Sequence, residues 1–196
     1  MINYSSLLTY MVVSAITPGP NNLMCLYLGA TVRLKGAKNF LFGSMTGLFV
    51  KMLLCGAVNV GLAELVPVLV PYLKWVGAAY MLYLGFMMAR EGFQKDDTND
   101  VKEGKSTFLS GILLQCLNVK SWVSSLSIYS VYIIPYTTRF SAVLLASSAY
   151  LIIIVGCSLT WCLFVQAIKN IYAKWKLPIS ILMGLSLAFC AVTALL

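Results

Sequence analysis

The stretch Thr17-Pro18-Gly19-Pro20-Asn21-Asn22 decides how this chain folds, and it lies inside an apolar block that covers residues 5–29. Two prolines and a glycine in three positions cannot continue an α-helix, because Pro18 and Pro20 lack amide hydrogens and clash with the carbonyls four residues back. Within hydrocarbon, backbone groups freed in this way are tolerated only where they are buried in protein or line a wet cavity. The stretch therefore predicts a membrane-crossing helix that is broken around a polar site.

The composition of the whole chain is that of an all-α membrane protein. Of its 196 residues, 60% are apolar and 10% are charged, whereas soluble domains are about 45–50% apolar and about 25% charged. Apolar blocks long enough to cross about 30 Å of hydrocarbon recur along the chain. We predict six transmembrane helices, at residues 5–29, 40–62, 66–88, 107–135, 141–167 and 178–196.

Basic residues are distributed unevenly over the predicted loops. The loops after the first, third and fifth helices hold three, four and three of them, whereas the opposite loops hold only Arg139. Because cytoplasmic loops are enriched in lysine and arginine, these ten residues should face the cytoplasm and both termini the outside. The net charge of +8 does not indicate nucleic-acid binding, because the basic residues alternate with apolar blocks and form no single basic face. The ten are Arg33, Lys35, Lys38, Arg90, Lys95, Lys102, Lys105, Lys169, Lys174 and Lys176.

A polar segment at residues 89–106 separates two sets of three predicted helices. It mixes acids and bases and is interpreted as a cytoplasmic connector between residues 1–88 and residues 107–196. Three is an odd number, so the second set must enter the membrane from the side opposite to the first. The sequence thus predicts two inverted three-helix repeats, the plan of many secondary transporters.

The fourth predicted helix carries a counterpart of the first motif, Gln115-Cys116-Leu117-Asn118-Val119-Lys120. Both motifs lie about ten residues, or about 15 Å, from the helix end that enters the membrane. Helices one and four should therefore be interrupted near the bilayer midplane, and such paired irregular segments indicate a transport site. A broken helix offers carbonyls to a cation and amides to an anion, which suits a zwitterionic amino acid. The candidate substrate-binding residues are Thr17, Pro18, Gly19, Pro20, Asn21, Asn22, Gln115, Asn118 and Lys120.

Two lysines lie within predicted helices, where a central lysine costs about 2.5–3.5 kcal/mol. Lys120 is predicted to bind a substrate carboxylate or to carry a proton; the alternative is a structural tie to the carbonyls at the first break. Lys51 lies at the centre of the second helix and is expected to face the cavity, with a structural pair as the alternative. Both lysines are candidates for coupling transport to an ion gradient.

Several kinds of chemistry are excluded because the predicted helices lack the residue types that they require. All six acids lie outside the predicted helices and the chain has no histidine, so a carboxylate or histidine proton relay is excluded. The titrating group would then be a lysine or the substrate itself. No ATP-binding loop, metal-ligand spacing or pairing of nucleophile with base is present, so we expect neither an enzyme nor a cofactor. The six cysteines lie in apolar blocks without a CxxC pair and are interpreted as buried apolar residues.

The motifs resemble those of the lysine exporter/homoserine–threonine exporter (LysE/RhtB) family of bacterial inner-membrane efflux proteins. The resemblance covers the chain length, the six helices, the Thr-Pro-Gly-Pro-Asn segment at 17–21 and the Asn-x-Lys at 118–120; Val119 replaces the proline that is more common in the family. Within the family the sequence is most similar to the exporters of cysteine and O-acetylserine, on the segments 52–55, 77–80 and 114–120. The resemblance implies export of neutral amino acids or related metabolites across a bacterial inner membrane, driven by the proton gradient. In that membrane, the outside location that the basic residues predict for both termini is the periplasm.

A small channel and a membrane scaffold without active transport stay open as alternatives. The sequence also leaves open the substrate, the coupling ion and whether the chain forms a homo-oligomer. Gly43 and Gly47 form a GxxxG pattern that predicts close helix packing, either within the bundle or between two copies.

Overall fold

The computed structural model describes residues 2–61, 65–93 and 107–195, and nearly all of them are helical. A π-helical stretch at Ile128–Ile133 continues α6. Beyond residue 93, the connector predicted at 89–106 lies outside the described residues. The α-helices are α1 (Tyr4–Ile16), α2 (Pro20–Thr31), α3 (Arg33–Gly61), α4 (Leu65–Gly92), α5 (Phe108–Leu117), α6 (Val119–Ser127), α7 (Phe140–Ala167), α8 (Lys169–Lys174) and α9 (Lys176–Leu195).

Within these described ranges, three segments are long and apolar enough to cross a membrane unaided: Arg33–Gly56, Phe140–Ala167 and Lys176–Thr193. The first and fourth predicted helices do not qualify because each is divided into shorter pieces, among them the apolar helices Tyr4–Ile16 and Phe108–Leu117. The structure therefore confirms a helical protein with membrane-length segments. The count of six transmembrane helices stays a prediction.

The predicted break in the first helix is present. α1 ends at Ile16, and Thr17 caps it through its amide and its hydroxyl, which both donate to the carbonyl of Val13. Gly19 is fully extended and precedes Pro20, the first residue of α2. A proline is well tolerated at that position because its missing amide hydrogen would have no partner within the helix.

The break in the fourth helix is narrower. Asn118 alone separates α5 from α6, with φ −83° and ψ 97°, and its Oδ1 accepts a hydrogen bond from the Ser121 amide at 3.3 Å. No proline is needed, because an asparagine at the N-cap satisfies an amide that the helix leaves free. Val119, the departure from the common family pattern, therefore still permits an interruption.

The predicted basic loop after the first helix is shorter than expected. α3 already begins at Arg33, which has a φ of 56° and makes the turn directly after α2. A left-handed backbone at a residue other than glycine is uncommon and occurs mainly in tight turns. Lys35 and Lys38 thus lie on the first turns of a helix and not in a loop.

The directions of the packed helices follow from residue pairs. Ser14 and Asn21 of α1–α2 contact Tyr150 and Ser158 of α7, at separations of 136 and 137 residues, so the two segments run parallel. By contrast, Gly85 packs on Gly184 while the later Gly92 packs on the earlier Ser180. α4 and α9 are therefore antiparallel.

The GxxxG pattern serves packing within the bundle. A Cβ atom at Gly43 would collide with the Phe108 carbonyl, and one at Gly47 would lie 3.2 Å from the Ile112 Cα. Both glycines thus let α3 approach α5 closely, as small residues do in membrane helix pairs. The order of the contacts also shows that α3 and α5 run parallel.

Two hydrophobic clusters enclose the centre of the bundle. One surrounds Tyr27 and Leu28 of α2, and the other surrounds Met52 of α3 and Tyr129 of the π-helical stretch. Large apolar side chains such as Phe86 and Phe189, 67% and 69% exposed, cover the outer surface. This arrangement suits surrounding lipid and leaves the polar side chains of the helix breaks inside.

Candidate functional site

The two helix breaks are in direct contact. The Lys120 Nζ donates to the carbonyl oxygens of Thr17 at 2.7 Å and of Pro18 at 3.4 Å. Gly19 makes this approach possible, because a Cβ at that position would lie 3.0 Å from the Lys120 Cδ and 3.2 Å from its Nζ. The structure thus contains the tie between Lys120 and the first break that the sequence left as an alternative. A cation at the C-terminal end of a helix is also favoured by the helix dipole.

Asn22 binds the same helix end from the other side. Its Nδ2 donates to the carbonyl oxygen of Ala15 at 2.7 Å and to that of Thr17 at 3.0 Å. Asn22 is 4% exposed and Ala15 is 2% exposed, so the bond between them compensates a buried carbonyl. Asn22 and Lys120 thus together bind the carbonyls of Ala15, Thr17 and Pro18 at the first break.

Asn21 points into a buried polar network. Its Nδ2 donates to the Ser158 Oγ at 3.0 Å, and its Oδ1 accepts from the Ser44 Oγ at 2.7 Å. Gln115 joins the network through its Nε2, which donates to Ser44 at 2.9 Å and lies 3.4 Å from the Asn21 Oδ1. α2, α3, α5 and α7 are thereby connected at the level of the breaks.

Lys51 lies behind this network and does not line the cavity. It is 2% exposed, and its Nζ donates to the carbonyl and the Oε1 of Gln115 at 3.3 and 3.4 Å and to the Ser121 Oγ. The Trp122 ring lies 5.7 Å from the ammonium, within the range of a cation–π contact. Lys51 thus spans the break between α5 and α6, which differs from the expectation that it faces the cavity.

A cavity of about 30 Å³ lies between the two breaks. Such a volume holds about two waters, so an amino acid can enter only if the surrounding helices separate. Of the nine candidate residues, Thr17, Pro18 and Pro20 are not on its wall; the first two contribute their carbonyls to Lys120. The wall comprises Ser14, Ala15, Gly19, Asn21, Asn22, Gln115, Asn118, Lys120, Ser121, Ser124, Tyr150 and Ile154.

Sequence comparison identifies the group of proteins to which this arrangement belongs. The model of the LysE type translocators matches residues 12–196. The chain belongs to the LysE type translocator family. This translocator is therefore a transporter and not an enzyme, as predicted, and its apolar helices fit a multi-pass membrane protein.

Curated relatives of the translocator have the same length. Proteins named cysteine/O-acetylserine efflux protein from Escherichia coli (strain K12), Shigella sonnei (strain Ss046) and Shigella flexneri are each 28% identical to it over 188 residues. The alignments cover 96% of this chain and 95% of each relative. The comparison with solved structures finds no match.

One face of α7 was missed in the sequence-based prediction of the translocator site. Tyr150 lines the cavity and its hydroxyl lies 3.1 Å from the Ser14 Oγ; Ser147 and Ser158 lie on the same side of the helix and are buried. A signal was present, because Ser147, Tyr150 and Ser158, spaced 3 and 8 positions apart in a mostly apolar helix, share one face. Such a polar stripe indicates a helix side turned towards the bundle interior.

Proposed function

We propose that this translocator is a secondary exporter of small amino acids or related metabolites across the bacterial inner membrane. Its substrates would be cysteine, O-acetylserine or another neutral amino acid. The observation that carries the proposal is the contact of Lys120 with the Thr17 carbonyl, which joins the two helix breaks beside one polar cavity. The names of the relatives support the substrate class.

Six transmembrane helices in two inverted repeats are part of the proposal. The repeats are residues 1–88 and 107–196, joined by a cytoplasmic connector at 89–106. The helix directions support this plan. A twofold axis in the membrane plane would map α1–α2 onto α5 and α7 onto α3, so one parallel pair would be exchanged for the other. The antiparallel pair α4 with α9 would map onto itself.

The proposed orientation places both termini in the periplasm. It follows from the ten basic residues and is supported by contacts near three of the basic segments. Gly43, close to Lys38, packs on Phe108; Gly92, close to Arg90, packs on Leu177, which follows Lys176. The basic segments thus lie at one end of the bundle, which would be the cytoplasmic end.

The proposed substrate site uses both ends of the broken helices. The substrate carboxylate would bind Lys120 and the amides that begin α2. Its ammonium would bind the carbonyls that end α1 and the amide side chains of Asn21 or Asn118. Alternating access would then proceed by rearrangement of the repeats about this site. Coupling to the proton gradient would involve Lys120 or Lys51.

Flux measurements in everted vesicles test the proposal. An exporter shows saturable uptake of amino acid that collapses when a protonophore removes the gradient. Flux that neither saturates nor responds to the gradient would indicate a channel, and no flux would indicate a scaffold. Unchanged transport in Asn118→Ala and Lys120→Ala variants would refute the site assignment. A metabolite profile of the medium with and without overproduction of the protein narrows the substrate.

A further inference from the structure

The ammonium group of Lys120 lies where the proposed substrate would place its own ammonium. Its Nζ binds the carbonyls of Thr17 and Pro18, which are the backbone acceptors at the end of α1. Asn22 binds the Ala15 carbonyl, two residues before Thr17, and shares the Thr17 carbonyl with Lys120. A substrate ammonium therefore reaches these carbonyls only when Lys120 has moved away from them.

The carboxylate of a zwitterion is suited to move Lys120. The other side chains that line the cavity are neutral, and the chain carries no acid between residues 2 and 61 or between 107 and 195. An incoming carboxylate thus offers Lys120 a charged acceptor in place of two neutral carbonyls, and charge-assisted hydrogen bonds are the stronger ones. The ammonium of the same molecule then occupies the carbonyls that Lys120 leaves.

We propose that the ammonium group of Lys120 occupies the site of the substrate ammonium until a substrate binds. Lys120 thereby selects molecules that carry both a positive and a negative charge. The inference rests on the proposed export function and specifies its selectivity. A simple amine would have to share the carbonyls with the Lys120 cation, which like-charge repulsion opposes. A simple carboxylic acid would draw Lys120 away from the Thr17 and Pro18 carbonyls and supply no ammonium in its place, so those two hydrogen bonds would be lost without replacement.

Three matched compounds test this selection: L-cysteine, its amine cysteamine and its acid 3-mercaptopropionate. Binding to the purified protein and counterflow in proteoliposomes are measured, with protein-free liposomes as the control for leakage. The wild type should prefer L-cysteine at least about tenfold over either analogue. In Lys120→Met the Pro18 carbonyl loses its Lys120 donor and the Thr17 carbonyl keeps that of Asn22, so both have room for an ammonium; binding of L-cysteine should fall about tenfold and binding of cysteamine should rise. Lys120→Arg, which keeps a cation, should retain the wild-type preference.

A second variant covers the case in which Lys120→Met fails to fold. The Cβ of Gly19→Ala would lie 3.0 Å from the Lys120 Cδ and 3.2 Å from its Nζ, so the lysine must shift by a few tenths of an ångström; this should weaken its hold on the carbonyls and raise cysteamine binding. The inference is overturned if the wild type binds cysteamine as well as L-cysteine, or if neither variant gains cysteamine binding. A wild-type protein that binds L-cysteine selectively but transports no amino acid refutes the export function and leaves the selection by Lys120 supported.

Discussion

The Lys120 Nζ lies 2.7 Å from the main-chain oxygen of Thr17, although 103 positions separate the two residues. Thr17 ends the first half of one broken helix, and Lys120 begins the second half of the other. The contact therefore closes a bundle in which each interruption of a helix is compensated by side chains from a different part of the chain. The bond of Lys51 to the Gln115 carbonyl follows the same principle, whereas Asn22 binds carbonyls only five and seven residues away.

Gly43→Leu should prevent the close contact of α3 with α5. A side chain there collides with the Phe108 backbone, and overpacking of this kind costs about 3 kcal/mol. The thermal midpoint of the purified protein in detergent should fall clearly. Gly156→Ala is the matched control on α7: nothing lies within 4 Å of a Cβ at that site, so stability should stay the same or rise slightly. Equal losses in the two variants would contradict the packing.

Asn22→Ala should destabilise the end of α1. The variant removes the donor to the buried Ala15 carbonyl, and a buried acceptor left without a partner costs roughly 1–3 kcal/mol; the Thr17 carbonyl keeps its bond to Lys120. Asn39→Ala, at an exposed position of α3, is the control and should leave the midpoint unchanged. A midpoint for Asn22→Ala that equals the control value would show that these bonds contribute nothing.

Asn118→Ala should weaken the start of α6. The loss of an asparagine N-cap costs about 1 kcal/mol, and the amide of Ser121 loses its side-chain acceptor. Because Asn118 also lines the cavity, transport should fall more than stability does. Asn118→Asp retains a capping oxygen and should restore the thermal midpoint. A variant with Asp that is as unstable as Ala would argue against the capping role.

Lys51→Met should act on the rate of transport and not on substrate binding. Lys51 reaches the cavity only through Gln115 and Ser121, so we expect KM to stay within about twofold and Vmax to fall at least about fivefold. Vesicle uptake over a range of substrate concentrations separates the two constants. Lys35→Met, at an exposed site, is the control. A large rise in KM with unchanged Vmax would place Lys51 in the binding site instead.

The sequence predicted the interruptions of the two helices well. Pro18 and Pro20 cannot donate backbone hydrogen bonds, and Asn118 competes for a backbone amide, so both effects act within a few residues of the chain. The same local reasoning predicted six of the residues that line the cavity. The helix count of six and the membrane orientation rest on apolarity and charge distribution and stay predictions.

Other features depended on how the helices pack. Lys51 was expected in the cavity, yet it contacts Gln115 and Ser121 from behind, and Tyr150 was overlooked although it lines the cavity. A sequence with these periodicities does not specify the rotation of each helix, which is set by contacts such as that between Gly43 and Phe108.

The sequence by itself thus determined where the helices must break and which groups the breaks set free. Only the tertiary structure decided which side chains bind the carbonyls around the first break: Lys120 binds those of Thr17 and Pro18, and Asn22 those of Ala15 and Thr17. The physical reason is the distance along the chain over which each effect acts. The prolines act on backbone groups within four residues, whereas Lys120, which binds the Thr17 and Pro18 carbonyls beside the break, comes from a helix about a hundred residues distant and is placed there by the packing of the whole bundle.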